Sequence, residues 1–127
     1  MRILQPEGWP APKGYANGIL AEGRTIFVAG QIGVDAAGAM ASGLPAQLEQ
    51  ALRNILAVLA AGGAGAEQIV RLTWYVTDLG LYETQLKEIG QAYRRVMGRH
   101  FPTMTVVEIR RLVEKNALVE IEATAVV

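Results

Sequence analysis

Apolar residues recur along the chain with a helical period in its first half. Four of them lie three or four positions apart and share one helix face: Leu48, Leu52, Ile55 and Leu59. Pro45 suits the first helical turn, and Gly62 suits the position just after the last. The pattern therefore predicts a helix from Pro45 to Ala61.

A second amphipathic stripe follows in the second half of the chain. Its apolar members are Tyr82, Leu86, Ile89, Tyr93 and Val96. Asp78 precedes the stripe and is a candidate N-cap, because its carboxylate can accept a hydrogen bond from a free helical N–H. Gly98 follows the stripe and ends the predicted second helix.

Segments rich in β-branched and aromatic residues predict five strands, at 18–21, 25–29, 69–77, 103–109 and 118–127. Gly23 predicts a hairpin between the first two strands, and a turn is expected at 114–116. Residues 1–14, rich in Pro and Gly, are expected to be an irregular lead-in. The order ββαβαββ favours an α+β fold, with a mixed sheet and both helices on one face.

The other face of that sheet is expected to carry Val, Ile, Tyr and Trp side chains. Such side chains are costly to expose to water, so this face is expected to be buried against other subunits. Closed cyclic assemblies are the usual arrangement for such contacts.

Composition narrows the possible functions. The 127 residues are expected to form one domain, and the twelve basic and twelve acidic side chains give no reason to expect nucleic acid or an anionic membrane as partner. No signal peptide or long apolar run is recognisable, so a cytoplasmic protein is expected. With one His and no Cys, an ordinary transition-metal site is not expected. The glycines match neither a phosphate loop nor a dinucleotide fingerprint, so no cofactor is expected.

The remaining candidate chemistry lies in carboxylates of the last strand. Side chains alternate between faces of a strand, which puts Glu120 and Glu122 on one side. They could form a solvated acidic face, or Glu120 could line a cleft and act as a general acid–base. Tyr15 is either a cleft hydroxyl or a core aromatic. His100 is interpreted as a surface or capping residue.

Several segments together resemble the RidA/YjgF family, also called the L-PSP or reactive-intermediate deaminase family. They are 14–18, 26–32, Gln47 with 54–56, 101–102 and 119–123, and they cover essentially the whole chain. The resemblance implies one RidA-like domain over residues 1–127 with a chorismate-mutase-like fold. It also implies a homotrimer with a central barrel, clefts between subunits that hold a small-molecule ligand, and hydrolysis of enamines or imines to a ketone and ammonia.

The resemblance also assigns roles. Glu120 matches the glutamate that works with the attacking water, Tyr15 matches a tyrosine near the ligand, and Gly30 with Gln31 falls on backbone that lines the cleft. Met104 stands where active members carry an arginine that grips the substrate carboxylate. Losing such a pair typically costs about 2–5 kcal/mol, or roughly 30- to 5000-fold in affinity.

Other positions of the site also differ from the family pattern. Met104 and Thr105 are expected to shape an apolar pocket that suits a larger or less charged ligand. Lys87 takes the place of a helix asparagine. Lys87 or Arg71 is a candidate replacement cation, or both are solvated surface residues.

Three functions are left open. The first is a hydrolytic deaminase of enamine or imine intermediates with a non-standard substrate. The second is a non-catalytic ligand-binding or regulatory trimer. The third is the endoribonuclease or translation-inhibitor activity attributed to some family members, against which the balanced charge argues.

Overall fold

The computed structural model describes residues 1–127 and contains a four-stranded mixed sheet with helices packed on one face. The strands and helices in chain order are β1 Arg2–Leu4, β2 Gly18–Leu20, β3 Thr25–Ile32, α1 Leu44–Ala61, β4 Ile69–Val76, α2 Leu79–Thr84, α3 Leu86–Met97, β5 Thr103–Glu108 and β6 Val119–Val126. The main sheet has the order β3-β6-β4-β5, in which only β4 and β5 are parallel. The predicted α+β class is confirmed.

Helix α1 confirms the first predicted helix and begins one residue earlier, at Leu44. Its apolar stripe is fully buried against the sheet and α3. On its outer side, Glu49 pairs with Arg53 at 2.9 Å and with Arg95 of α3 at 2.8 Å. Hydrogen bonds from these two guanidinium groups lower the pKa of Glu49. The Glu49–Arg95 pair therefore ties the two long helices together.

The second predicted helix is divided in two. Asp78 is confirmed as the N-cap of α2, since its side chain accepts a hydrogen bond from Leu81 N at 2.9 Å. Gln85 leaves the helical conformation, and its N–H bonds to Tyr82 O, which closes α2 as a tight turn. Helix α3 then runs to Met97, and Gly98 ends it with a positive φ of 62°, as predicted.

The predicted hairpin between strands 18–21 and 25–29 is wrong. Strand β2 pairs with β1, which lies in the supposed irregular lead-in, and β3 pairs with β6. Gly23 has a different role, because a Cβ there would lie 2.4 Å from Val127 O. The backbone of Arg24 exchanges two hydrogen bonds with Val127, so the glycine allows the C-terminal strand to pack closely.

The two faces of the main sheet differ in composition. The helix-covered face holds the buried residues of β4 and β6: Ile69, Leu72, Trp74, Val76, Val119, Ile121, Ala123 and Ala125. We call the other side the open face. It carries Arg71, Thr73, Tyr75, Glu120, Glu122 and Phe27, and Phe27 is 79% exposed. Helices on one face are confirmed. The expectation of Ile and Trp on the open face is wrong, because Ile121 and Trp74 pack under the helices and most open-face residues of β4 and β6 are polar or charged.

Two side-chain amides, the buried Gln47 and the half-buried Asn54, hold the loops around β3 and β6. Gln47, only 3% exposed, donates to Ala41 O and Asn116 O and accepts from Leu118 N. Asn54 donates to the carbonyls of Ile32 and Val34. These bonds satisfy backbone groups that have no strand partner and fix where β3 leaves the sheet. None of the helices combines the length and the apolar composition needed to cross a bilayer.

Candidate active site

A groove of about 390 Å³ lies between α2, α3 and the outer strand β5. We call it the aromatic groove. Its wall is formed chiefly by Tyr15, Trp74, Tyr82, Tyr93, Phe101 and Met104. The volume falls in the range of small-molecule sites, which are typically about 300–1,000 Å³.

Backbone contacts bring Tyr15 and Met104 to the same groove. Met104 pairs with Leu72 on the helix-covered side of the sheet. Ala16 N donates to Pro102 O at 3.0 Å, and Ala16 forms an isolated parallel bridge to Thr103. This bridge places Tyr15 beside the outer edge of β5, with 42% of the side chain exposed.

The other aromatic rings form a packed wall. Tyr93 stacks on Phe101 with ring centroids 5.5 Å apart, and Trp74 meets Tyr82 edge-on at 6.4 Å. Burial raises the pKa of the Tyr82 and Tyr93 phenols, so both stay protonated at neutral pH. Tyr93 donates its hydroxyl to His100 O, and the His100 ring bonds Ile69 O at 2.7 Å. The single histidine therefore helps to hold this wall.

The only charged side chains of the groove wall are Lys13 and Arg94. Arg94 makes no salt bridge, although its neighbour Arg95 pairs with Glu49. The Nε1 group of Trp74 is buried without a hydrogen-bond partner. The groove thus combines an apolar wall with two cations, of which Arg94 has no partner in the chain.

Glu120 lies on the open face, away from the aromatic groove. It pairs with Ile32 of β3 and Tyr75 of β4 in the strand register. The β3 strand bulges between Val28 and Gln31, and the bulge brings Gly30 against Glu120. A Cβ at Gly30 would lie 2.6 Å from Glu120 Oε1, so only glycine leaves the carboxylate in its present position.

The second carboxylate of the open face, that of Glu122, already accepts a hydrogen bond. Tyr75 donates its hydroxyl to Glu122 Oε1 at 2.6 Å, and this bond raises the pKa of Tyr75. No hydrogen bond to the Glu120 side chain is present within the chain. Glu120 is therefore the carboxylate on this face that is free to meet a water molecule or a ligand.

The residues proposed from the sequence divide into two groups. Tyr15 and Met104 meet in the aromatic groove, whereas Gly30 and Glu120 meet on the open face. Gln31 lies in the bulge beside Gly30 and donates to Ala29 O at 3.2 Å. One chain does not bring these two groups together, because the sheet lies between them.

Three other candidates lie outside the groove. Thr105 pairs with Thr73, on the open face, because strand residues alternate sides. Arg71 is exposed on the same face. Lys87 is exposed on α3 and does not reach the groove wall. No group of three His, Cys, Asp or Glu side chains is placed to hold a metal ion.

Sequence reasoning missed Lys13, Trp74 and Arg94 as groove residues. For Arg94 a signal was available in the helical period. The α3 residues that line the groove are Leu86, Ile89, Gly90, Tyr93 and Arg94, at the spacing of a single helix face. The position of Lys87, one residue off that stripe, explains why it points elsewhere.

Comparison with known proteins identifies the relatives of this chain. The sequence model described as "Endoribonuclease L-PSP" matches residues 9–127. The 2-iminobutanoate/2-iminopropanoate deaminase of Salmonella typhimurium is 35% identical over 130 residues, covering 98% of this chain and 97% of the relative.

Solved structures agree with this result. The Rid family protein YyfB from Yersinia pestis, described as of unknown function, superposes with a TM-score of 0.86. It is 31% identical, with 99% of this chain and 98% of that chain covered. TdcF of E. coli, solved with bound serine, superposes with a TM-score of 0.72 at 29% identity, covering 100% and 99% of the two chains.

Proposed function

Because this chain belongs to the endoribonuclease L-PSP family, whose members include the RidA proteins, we propose that it is a hydrolytic deaminase of enamine and imine intermediates. We further propose that it works as a homotrimer whose open faces form a central barrel, with the active cleft between two subunits. The name of the Salmonella relative supports the reaction class, since that protein is a deaminase of 2-imino acids.

The observation that carries the shared cleft is the separation of Glu120 from Met104. Tyr15 and Met104 line a groove on one side of the sheet, while Glu120 and Gly30 lie on the other. A site that uses all four residues needs the groove of one subunit and the open face of its neighbour. The exposed Phe27 supports this arrangement, because an aromatic ring that is 79% exposed gains free energy when covered.

The proposed chemistry uses one carboxylate and one water molecule. The enamine first tautomerises to the imine. The Glu120 carboxylate takes a proton from water as its oxygen attacks the imine carbon, and it passes that proton to the imine nitrogen, which gives a carbinolamine. Glu120 then transfers the hydroxyl proton of the carbinolamine to the nitrogen, so the C–N bond breaks, ammonia leaves and the C–O bond becomes the carbonyl of the ketone. Tyr15 supplies a hydroxyl at the groove mouth that orients the ligand.

The groove points to a substrate unlike the small amino-acrylate. Met104 is half-buried and contributes an apolar thioether where an arginine would grip a carboxylate. A small enamine acid would gain little from this wall, whereas a larger apolar ligand would fill it.

The test measures imine hydrolysis directly. An L-amino-acid oxidase releases 2-imino acids of different sizes, and the protein is expected to speed formation of the 2-keto acid. Glu120→Gln is expected to abolish the acceleration. Glu122→Gln, two residues along on the same face, is the matched control and is expected to keep most of it. Sedimentation is expected to give the mass of a trimer.

Three results would contradict the proposal. A monomer in sedimentation would remove the shared cleft. Ligand binding without acceleration of any imine would favour the non-catalytic trimer. RNA cleavage by a pure preparation, lost in a single point variant, would favour the ribonuclease function.

A further inference from the structure

The aromatic groove contains an arginine with no partner in the chain. Three arginines lie close to the α1–α3 contact or the groove, and two of them, Arg53 and Arg95, are paired with Glu49. Arg94 is the third and has neither a salt bridge nor a side-chain hydrogen bond. No Asp or Glu side chain lines the groove, so nothing there neutralises Arg94 or Lys13.

Gly90 gives Arg94 access to the groove. The two residues lie one helical turn apart, and Nη2 of Arg94 is 4.0 Å from the position that a Cβ would take at Gly90. Because that space is otherwise open, the guanidinium lies back over the glycine along the groove wall. A side chain at position 90 would compete for this space.

The rest of the groove favours an aromatic or branched apolar body. The rings of Trp74, Tyr82 and Tyr93 form one continuous cluster. Aromatic pairs in edge-on or offset contact are favourable beyond their buried area. A ligand of only a few heavy atoms would leave most of the 390 Å³ unfilled.

From these observations we propose that Arg94 is the carboxylate anchor of the groove, and that the groove binds 2-imino and 2-keto acids with a large aromatic or branched side chain. The inference rests on the proposed function in placing the substrate in this groove. Arg94 holds the carboxylate from α3, Lys13 adds a second positive charge at the rim, and the aromatic wall holds the side chain. Met104 then belongs to the apolar wall rather than to the anchor.

The test is binding of two stable acids, phenylpyruvate and pyruvate, to the assembled protein by calorimetry. Burying the additional phenyl group predicts roughly 10- to 100-fold tighter binding of phenylpyruvate. Arg94→Gln is expected to weaken the binding of phenylpyruvate by about 10-fold or more, the lower end of the range for a hydrogen bond to a charged group, because Arg94 is exposed. The methyl ester of phenylpyruvate is expected to bind weakly and to be insensitive to Arg94→Gln.

The control variant is Arg95→Gln, the adjacent arginine, whose partner Glu49 lies away from the groove. It is expected to leave phenylpyruvate affinity unchanged. Thermal melts of both variants check that the fold is kept. An equal loss of phenylpyruvate affinity in both variants would overturn the anchor role. So would an ester whose affinity falls as much with Arg94→Gln as that of the acid.

The binding test separates this inference from the proposed function. If phenylpyruvate binds in an Arg94-dependent way but no imine is hydrolysed, the anchor stands and the deaminase proposal fails. If aromatic imines are hydrolysed with a KM that Arg94→Gln does not change, the deaminase proposal stands and the anchor is wrong. Failure of phenylpyruvate to bind, or tighter binding of pyruvate, would overturn the inferred ligand class.

Discussion

Gly30→Ala is the substitution that most specifically perturbs the proposed general base. The new methyl group would lie 2.6 Å from Oε1, 2.7 Å from Cδ and 2.9 Å from Cγ of Glu120. Carbon atoms in favourable contact are about 3.5–4.0 Å apart, so the carboxylate must retreat by about 1 Å. All three crowded atoms belong to one flexible side chain, which can rotate away without moving the sheet.

The consequences for stability and for catalysis differ in size. The backbone of Gly30 has no positive φ, so alanine can adopt its conformation. We therefore expect the free energy of unfolding to change by about 1 kcal/mol or less. A catalytic group misplaced by about 1 Å costs on the order of 100-fold in rate. The predicted variant is folded and trimeric but hydrolyses imines about 100 times more slowly.

The assay measures kcat and KM for imine hydrolysis, together with urea unfolding and sedimentation. Since the proposed function places the ligand body in the aromatic groove, kcat is expected to fall while KM changes little. Gly65→Ala is the matched control, because a Cβ there meets only Gln68 Oε1, at 3.7 Å. Full activity of a folded Gly30→Ala trimer would refute the placement of Glu120 as the base.

Other predictions concern Met104, the contact between α1 and α3, and the buried amide of Gln47. Met104→Arg is expected to raise hydrolysis of the small imine released by a serine dehydratase, measured as pyruvate; no gain would contradict the role given to Met104. Glu49→Gln is expected to lower the free energy of unfolding by at most about 1 kcal/mol at pH 7, because the half-exposed arginines are screened. The pKa of Glu49 is lowered in the folded protein. Its contribution is therefore present above the unfolded pKa of about 4.3 and is lost as pH falls through the folded pKa. A difference in urea unfolding that persists at pH 2 would contradict it. Gln47→Leu is expected to lower the free energy of unfolding, measured in urea, by at least about 2 kcal/mol, because it leaves Leu118 N and two carbonyls without hydrogen-bond partners. Wild-type stability of this variant would contradict the prediction.

Local patterns were sufficient to predict α1 and the strands β4 and β6, but not the division of the second helix at Gln85 or the extension of β3 to Ile32. The stripe from Leu48 to Leu59 is buried as a unit, and β4 buries every second residue from Leu72 to Val76, so pattern and structure agree. The pairing of the first strands was not predictable in this way. Gly23 looks like a hairpin glycine, yet its function is to approach Val127, more than a hundred residues along the chain. Strand pairing is decided by such long-range contacts, which a local pattern does not contain.

The candidate site was predicted only in part, because a local pattern does not show how distant residues are arranged relative to one another. The residues Glu120, Tyr15 and Met104 could be chosen from the sequence, but not the side of the sheet on which each lies relative to the others. Arg94 was within reach of a helical-phase argument, since it shares the stripe of Ile89 and Tyr93. The unpartnered Nε1 of Trp74 had no signal in the sequence, because it depends on which groups surround the ring after folding.

The central claim is that groove and carboxylate come from different subunits, and mixing two inactive variants tests it most directly. Glu120→Ala removes the base, and Gly90→Trp fills the groove of its own chain. In trimers re-formed from equal amounts of the two, a site is intact when its groove comes from the first variant and its carboxylate from the second. Random assembly makes this about a quarter of the sites, so about a quarter of wild-type imine hydrolysis is expected to return. Mixed trimers that remain inactive, with assembly confirmed by mass, would contradict the shared cleft.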